Sequence, residues 1–371
     1  MTRHSGGAPG TSGAHDKGEA LRPDQGGNGL ATLADVARHA GVAASTVSYV
    51  LSGKRTVSAA TRLRVQHSIE LLGYHPHAGA RALASSRSNV LALVVPLRGD
   101  LYVPVMMEIA IGVTTTARGF GQDVLLLTND EGPEGIRRVA SSSRADAVIL
   151  TDIGMRDERI AMIRATGIDA VLIGVPADSA GLNCVDLDFA EAGRLCVEHL
   201  AQLGHRDVAF IGEAEGIYRR QIGFAERTLS GVRAGAAARG IDLIHRPCEG
   251  SYEAAAGALA RILEERPRTT GLIVQNEAVL PHLISLLRTA GRTVPEDVSI
   301  VALCPAELAE RASPRLTSVD IPARELGTRA VELLMRRPAD GGPGEVVLIP
   351  PVLTIHGSSA PRPASREGDS Q

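Results

Sequence analysis

The sequence predicts a small all-α helix-turn-helix head followed by a larger α/β body with two lobes. Short apolar-periodic segments separated by glycine fill residues 31–76, which is typical of short helices joined by tight turns. From residue 89 onward, strand-like and helix-like segments alternate, and this alternation predicts parallel sheets. Residues 77–88 are predicted to form a hinge between head and body, and residues 1–30 and 358–371 to be disordered tails.

Composition narrows the class of protein. The chain has 371 residues, of which 44% are hydrophobic and 2% aromatic, so we expect a core of Ala, Val, Leu and Ile. Its four cysteines are widely spaced, which predicts reduced thiols and no metal site. No apolar run is long enough for a membrane span, and residues 1–30 lack the apolar region of a signal peptide. We therefore expect a cytoplasmic protein without a cofactor or metal.

Charge is unevenly distributed along the chain. The net charge is −3, but residues 32–88 carry seven basic side chains and two acidic ones, a charge of +5. The remainder is therefore acidic. A basic head on an acidic body is the pattern expected of a nucleic-acid-binding protein.

Three short helices are predicted in the head. Thr32 is a candidate N-cap for the first helix, with Asp35 completing a capping box, and Gly41 suits the tight turn that ends it. The second helix is predicted to start at Thr46, and the third to follow the cap residue Ser58 and end at Gly73. Their predicted core stripes are Val47, Val50 and Leu51 on the second helix and Val65, Ile69 and Leu72 on the third. A tight turn between the first two helices makes this a helix-turn-helix unit.

The outer face of the second helix carries small residues where a surface helix normally carries Lys and Glu. A helix in the major groove must approach base edges closely, so this face favours DNA binding over an ordinary three-helix bundle, the alternative interpretation. The candidate base contacts are Ala44, Ser45 and Tyr49. The candidate phosphate contacts are Thr32, Ser48, Lys54, Arg55 and Arg62.

Residues 32–83, TLADVARHAGVAASTVSYVLSGKRTVSAATRLRVQHSIELLGYHPHAGARAL, closely resemble the LacI-type bacterial transcriptional repressors. The resemblance extends over about residues 32–357. It implies a homodimer that binds double-stranded operator DNA, with an effector domain similar to periplasmic sugar-binding proteins. Two positions depart from the family. Tyr49 stands where Arg is frequent, so the half-site should differ, and Ala43 replaces a usual Ser N-cap, at a cost of about 1 kcal/mol.

The hinge lies in the segment HPHAGARALASSRS, residues 75–88. Gly79 and the short length make any helix here marginal in isolation. The family resemblance implies that this segment orders on operator DNA, where Ala80 and Leu83 reach the minor groove and Leu83 wedges into a base step. Composition alone favours a flexible linker, which remains the alternative.

The body is predicted to contain buried strands at VLALVVP, DVLLLTND, ADAVILTD, DAVLIGVP, RDVAFIGE, TGLIVQNE and VSIVALC. Lobe 1 should comprise about residues 89–188 and 320–338. Lobe 2 should comprise about residues 189–319 and 345–357, so that the last segment, EVVLIPPVLTIHG, finishes in lobe 2. Because ligands of open α/β sheets bind beyond the carboxyl ends of strands, we expect an effector in the cleft between the lobes.

Candidate effector contacts follow from strand ends and the resemblance: Tyr102, Asp188, Phe189, Arg220, Arg227 and Asn276. An equally plausible role for Asp188 is to cap the helix that follows it. The family's Arg-x-x-Gly motif is only approximate at Arg227 and Gly231, so Arg219, Arg220 and Arg227 are all candidates for its arginine. Cys304 and Pro305 replace the family's acidic pair. The effector is therefore open between an atypical sugar, a phosphorylated or acidic metabolite, and none.

These observations together predict a sequence-specific DNA-binding regulator, most simply a repressor, controlled by a small molecule. The sequence has no GxGxxG, no GxxxxGK[ST] and no GxSxG motif, so we expect no enzyme activity. Two alternatives stay open: a ligand-binding or transport receptor with an incidental head, and a sugar-modifying enzyme. The operator, the effector and whether it induces or co-represses do not follow from the sequence.

Overall fold

The structure is a computed structural model that describes residues 31–52, 55–74, 87–100, 102–142, 144–336 and 344–362. The chain divides into two compact units, Met1–Ala80 and Arg81–Gln371.

The head contains helices α1 (Leu33–Ala40), α2 (Ala44–Ser52) and α3 (Ala59–Leu72). Thr32 caps α1 and forms the predicted capping box with Asp35, while Ser58 caps α3. Glycines 41 and 73 end α1 and α3 in the left-handed conformation, which glycine adopts without steric cost. The expected cap and turn chemistry is therefore present.

The core of the head is small and differs from the predicted stripe at one residue. Its buried members are Val36, Ala37, Ala40, Val47, Val65 and Tyr74. Val50, Ile69 and Leu72 pack against this core, but Leu51 is 38% exposed. A core of this size covers only a narrow stripe of a two-turn helix, so the predicted burial of Leu51 is wrong. Helix α2 also begins two residues before the predicted start.

Lobe 1 of the body is a six-stranded parallel sheet in the order β11-β5-β4-β3-β1-β2. Its strands are β1 (Val90–Val94), β2 (Asp123–Leu127), β3 (Ala147–Leu150), β4 (Asp169–Ile173), β5 (Asn183–Leu187) and β11 (Val346–Ile349). Its helices are α4 (Val103–Gly119), α5 (Gly132–Ser142), α6 (Glu158–Thr166) and α13 (Ala323–Met335). The continuous β-branched runs suit strands whose two faces are both covered.

Lobe 2 is a second six-stranded sheet in the order β12-β10-β9-β8-β6-β7, parallel except for the pairing of β10 with β12. Its strands are β6 (Asp207–Gly212), β7 (Asp242–Pro247), β8 (Gly271–Val274), β9 (Ser299–Leu303), β10 (Thr317–Val319) and β12 (Leu353–Thr354). Its helices are α7 (Phe189–Gln202), α8 (Glu215–Arg219), α9 (Gly223–Arg239), α10 (Tyr252–Glu265), α11 (Leu280–Thr289) and α12 (Ala306–Arg311), with a 3₁₀ helix at Glu277–Val279. Helices α7 and α9 pack so closely that a Cβ at Gly231 would lie 1.9 Å from the carbonyl oxygen of Ala190.

The C-terminal segment crosses both lobes, which corrects the sequence prediction for residues 345–357. Val346–Ile349 pairs in parallel with β5 of lobe 1, and Leu353–Thr354 pairs with β10 of lobe 2. Two prolines, 350 and 351, separate the strands, and proline interrupts a ladder because it has no N–H to donate. One apolar run therefore becomes two short strands in different sheets.

Residues 358–362, predicted as the start of a disordered tail, are ordered in the structure. Ser358 is fully buried, donates to the carbonyl of Ile300 at 2.7 Å and accepts from the amide of Thr317 at 2.8 Å. Ser359 lies 2.9 Å from Nε2 of His199. These hydrogen bonds attach residues 358–359 to lobe 2, a role that side-chain composition does not reveal.

All four cysteines are buried and free of disulfides. In the part of the chain that the structure describes, we find no helix that combines the length and apolar character needed to cross a bilayer.

Candidate nucleic-acid interface and ligand cleft

Helix α2 presents a small, uncharged outer face. Ala44 and Ser45 at its start are exposed, and Ser48 and Tyr49 are half-buried one turn further on. Val47 is fully buried on the opposite side. The amides of Thr46 and Val47 donate to the carbonyl of Ala43 at 2.8 and 3.3 Å, so Ala43 stands at the cap position without a side-chain oxygen. The amides of Ala44 and Ser45, for which the described residues offer no acceptor, are left for water or a phosphate.

Cations flank this face. The guanidinium of Arg55 lies 5.4 Å from the ring centroid of Tyr49, within the range of a cation–π interaction. Arg62 is exposed on α3. The head therefore contains the predicted phosphate contacts Arg55 and Arg62 and the predicted base contact Tyr49. Lys54, Ala80 and Leu83 lie outside the described residues.

Thr32 is already engaged within the head. Its hydroxyl donates to Oδ2 of Asp35 at 2.6 Å and accepts from the amide of Asp35 at 3.3 Å. The hydrogen bonds from Thr32 and the charge of Arg38 lower the pKa of Asp35, so this side chain stays ionised. A phosphate contact through the Thr32 hydroxyl would have to replace one of these bonds, whereas Ser45 has no such competitor among the described residues.

The body contains a cleft of about 970 Å³, including open solvent at its mouth, between the carboxyl ends of the two sheets. Three of the predicted effector contacts line it: Tyr102 from lobe 1, and Phe189 and Arg220 from lobe 2. Arg220 and Gly223 have the spacing of the family's Arg-x-x-Gly motif, whereas Arg227 and Gly231 are one residue too far apart.

Asp188, Asn276 and Arg227 do not line the cleft and hold local structure. Asp188 caps α7 by accepting from the amide of Glu191 at 3.0 Å. Asn276 donates to the carbonyl of Cys248 at 2.7 Å and accepts from the amide of Ala278 at 3.1 Å. Arg227 donates from Nη2 to the carbonyls of residues 175 and 176 at 3.0 and 3.2 Å, which ties α9 to lobe 1. Effector contact by these three residues remains a prediction.

An ion pair crosses the cleft. Nη1 of Arg220 in lobe 2 lies 2.9 Å from Oδ2 of Asp100 in lobe 1. The second arginine of the cleft, Arg98, pairs with Asp130 at 2.7 Å and with Asp152. Both guanidiniums that line the cleft are therefore bound to carboxylates of the protein.

Glu277, which follows Asn276 beyond a strand end, also lines the cleft, together with three groups that the sequence prediction missed: Asp186, Glu213 and Gln275. Burial raises the pKa of Asp186 to about 7 and that of Glu277 to about 8. Burial, followed by the charges of Glu277 and Asp100, raises the pKa of Glu213 well above its usual range. Position at a strand end could have identified two of these residues. Glu213 directly follows β6 and Gln275 directly follows β8, and ligands bind at the carboxyl ends of such strands.

Two families match the chain: "Bacterial regulatory proteins, lacI family" over residues 32–77 and "Periplasmic binding protein-like domain" over residues 197–359. The HTH-type transcriptional regulator CelR of Thermobifida fusca is 30% identical over 321 residues, which cover 82% of this chain and 91% of the relative.

Two solved structures extend the comparison. The transcriptional regulator CelR–cellobiose complex is 27% identical, with a TM-score of 0.64 over 89% of this chain and 100% of that one. The lac repressor dimer bound to operator and the anti-inducer ONPF has a TM-score of 0.78 at 24% identity, over 90% and 100% of the two chains. The predicted head and two-lobed body are confirmed, and the chain belongs to the LacI family of DNA-binding transcriptional regulators, which are not enzymes.

Proposed function

We propose that this regulator is a cytoplasmic repressor that binds a near-palindromic operator as a homodimer, and that a small molecule in the cleft between its lobes controls it. The observation that carries the proposal is the exposed Ala44–Ser45 edge of α2, next to the Tyr49–Arg55 pair. Small side chains permit close approach to base edges, and the two larger ones reach further.

Operator binding is supported by charge and by relatives. The +5 of residues 32–88 supplies attraction to phosphate, while the base-facing edge itself is uncharged and so suits sequence discrimination. The solved lac repressor is a dimer bound to operator, and its fold matches this chain. A two-fold dimer would set two half-sites about one helical turn, or a multiple of it, apart.

Dimerisation is supported by an apolar stripe in lobe 1. Val103, Met107 and Ile111 succeed one another at four-residue spacing on α4 and are exposed by 39–48% in the single chain. Three large apolar side chains on one helix face are typical of a surface that another subunit covers.

Control by a ligand is supported by the cross-lobe contacts. A molecule in the cleft would contact both partners of the Asp100–Arg220 ion pair, since both line it. Binding would therefore change the interaction between the lobes, and any effect on DNA affinity must pass through residues 77–88, which join body and head. The relative CelR was solved in complex with cellobiose, so sugars are the first class of ligand to test.

Selection of bound sequences from random duplex DNA by the full chain, with and without candidate metabolites, tests this function. We expect a near-palindromic consensus whose enrichment changes with at least one metabolite. The absence of any enriched sequence would contradict the proposal and favour a ligand-binding receptor.

Leu83→Ala tests the proposed minor-groove wedge within the same assay. We expect it to weaken binding to the selected operator far more than binding to scrambled duplex, because the wedge forms only on a sequence that bends. Equal losses of affinity for both duplexes would contradict the proposed wedge role of Leu83.

A further inference from the structure

Two carboxyl groups lie beyond the ends of adjacent strands of lobe 2. Strands β6 and β8 pair in parallel with Ile211 opposite Val274, so both chains leave the sheet at the same edge. Glu213 follows the first strand and Glu277 the second, and both line the cleft while only 6% and 7% exposed. Removal of two carboxylates from water is costly unless a positive charge or proton compensates them.

The described side chains supply no positive charge to this pair. No side chain of the described residues hydrogen-bonds to the carboxyl of Glu213 or of Glu277. Arg98 and Arg220, the guanidiniums of the cleft, are paired with aspartates. The cleft lining holds five carboxyl groups against these two cations: Asp100, Asp152, Asp186, Glu213 and Glu277.

Further buried groups aimed at the cleft are mostly acceptors without a partner. Oε1 of Gln275 is unpartnered although the residue is 98% buried, since only its amide nitrogen is used, in a 3.1 Å bond to Thr228. Oδ2 of Asp186 and Oδ1 of Asp100 are also unpartnered. Among the fully buried atoms of the described lining, the one donor without a partner is Nε of Arg220, and the charge of that guanidinium is balanced by Asp100. The open positions therefore favour a ligand that donates hydrogen bonds, and the excess of carboxyl groups over guanidiniums favours one that carries positive charge.

We propose that the cleft binds an organic cation, with its protonated amine between Glu213 and Glu277. This inference rests on the proposed function, because it names the ligand class of the same cleft. It excludes phosphorylated and acidic metabolites, whose charge would face the carboxyl excess with no free guanidinium to receive it.

The remainder of the ligand meets an apolar wall. The rings of Phe189 and Phe224 lie 5.6 Å apart and both line the cleft, together with Met106, Ile217 and Leu303. Such a surface covers the ring face of a sugar or a hydrocarbon body equally well. The carboxyl pair therefore recognises the amine, and the apolar wall packs against the rest of the ligand.

Binding of a cation to this pair should release protons. In the free protein, burial raises the pKa of Glu277, which favours the protonated form of this carboxyl. An ammonium nearby favours the charged form and lowers that pKa, so the proton leaves to the buffer. The other titratable groups that interact with the pair carry no positive charge: Asp100, Tyr102, Tyr218, Cys248 and Cys304.

Matched ligands test the proposal on the full-length protein at pH 7. One set is glucosamine, glucose and glucose 6-phosphate, and the other is cyclohexylamine, cyclohexanol and cyclohexanecarboxylate. Thermal shift and titration calorimetry measure binding, and calorimetry in buffers of different ionisation enthalpy measures proton release. We expect the amine of at least one set to bind more tightly than its neutral and anionic counterparts and to release protons.

Variants locate the amine. Glu213→Gln and Glu277→Gln resemble the protonated acids in shape and should weaken amine binding by about tenfold or more. Glu264→Gln, an exposed acid of α10, should leave it unchanged. If no amine binds up to millimolar concentration, if a neutral or anionic counterpart binds as tightly, or if amine binding survives both cleft variants, the proposal is overturned. DNA selection without ligand separates the two proposals. If an operator is selected but no amine binds, only the proposed ligand class is refuted and the proposed DNA-binding function stands.

Discussion

Tyr49 is the residue whose substitution should change which DNA sequence the head prefers. The phenol is half-buried on α2, one turn after Ser45, and its ring lies against the guanidinium of Arg55. Tyr49→Ala removes both the ring and the hydroxyl, whereas Tyr49→Phe removes the hydroxyl alone. The pair of variants separates hydrogen bonding to a base from packing against Arg55.

The magnitude follows from the two interactions. A side-chain contact with a base edge contributes about 1–3 kcal/mol of discrimination, which is roughly fivefold to 150-fold in relative affinity. The contact with Arg55, at 5.4 Å and near the surface, contributes about 0.5–1 kcal/mol to the placement of that cation. We therefore expect Tyr49→Ala to change the base preference at one position of each half-site and to lower affinity for all sequences modestly.

Selection from random duplex DNA, followed by competition binding between the two consensus sequences, measures both effects. Tyr49→Phe should keep the general affinity and lose only the preference that depends on the hydroxyl. Leu71→Ala, at an exposed residue of α3, is the control and should select the wild-type sequence. The same consensus from wild-type, Ala and Phe proteins would refute the base-contact role of Tyr49.

Three other predictions concern packing, capping and the cleft. Gly231→Ala should lower the melting temperature of the body sharply, because a Cβ would overlap the backbone of α7; Gly257→Ala on α10 has open space and should be neutral or stabilising by up to about 1 kcal/mol, as calorimetry can show. Thr32→Ala should destabilise the head by about 0.5–2 kcal/mol through loss of the capping box, seen as faster hydrogen exchange in α1, and unchanged exchange would contradict it. Arg220→Gln removes a positive charge from the cleft and frees Asp100, so calorimetry should show tighter binding of a cationic ligand while the selected DNA consensus stays the same; weaker amine binding or a new consensus would contradict this.

The head was predictable from local signals. The pairing of Thr32 with Asp35 and the two left-handed glycines act within a few residues, so their chemistry can be seen in the sequence itself. Leu51 was predicted wrongly because its burial depends on how far the other helices reach, which is a tertiary property.

The body was predictable as alternating strands and helices but not in its long-range connections. The apolar run of residues 346–354 gave no sign that its halves would join different sheets, because sheet pairing depends on distant strands. In the cleft, Tyr102, Phe189 and Arg220 were placed by strand-end position and family resemblance. Glu213 was missed because an acid after a strand looks solvent-exposed until the opposing lobe is known to cover it.

Competition between the selected operator and a scrambled duplex of equal length, measured for the full chain across a range of salt concentrations, tests the central claim most directly. We predict that the operator binds at least about a thousandfold more tightly at physiological ionic strength and that the affinities for both duplexes fall steeply as salt rises. Equal affinity for the two duplexes, with and without metabolites, would contradict sequence-specific DNA binding by this head.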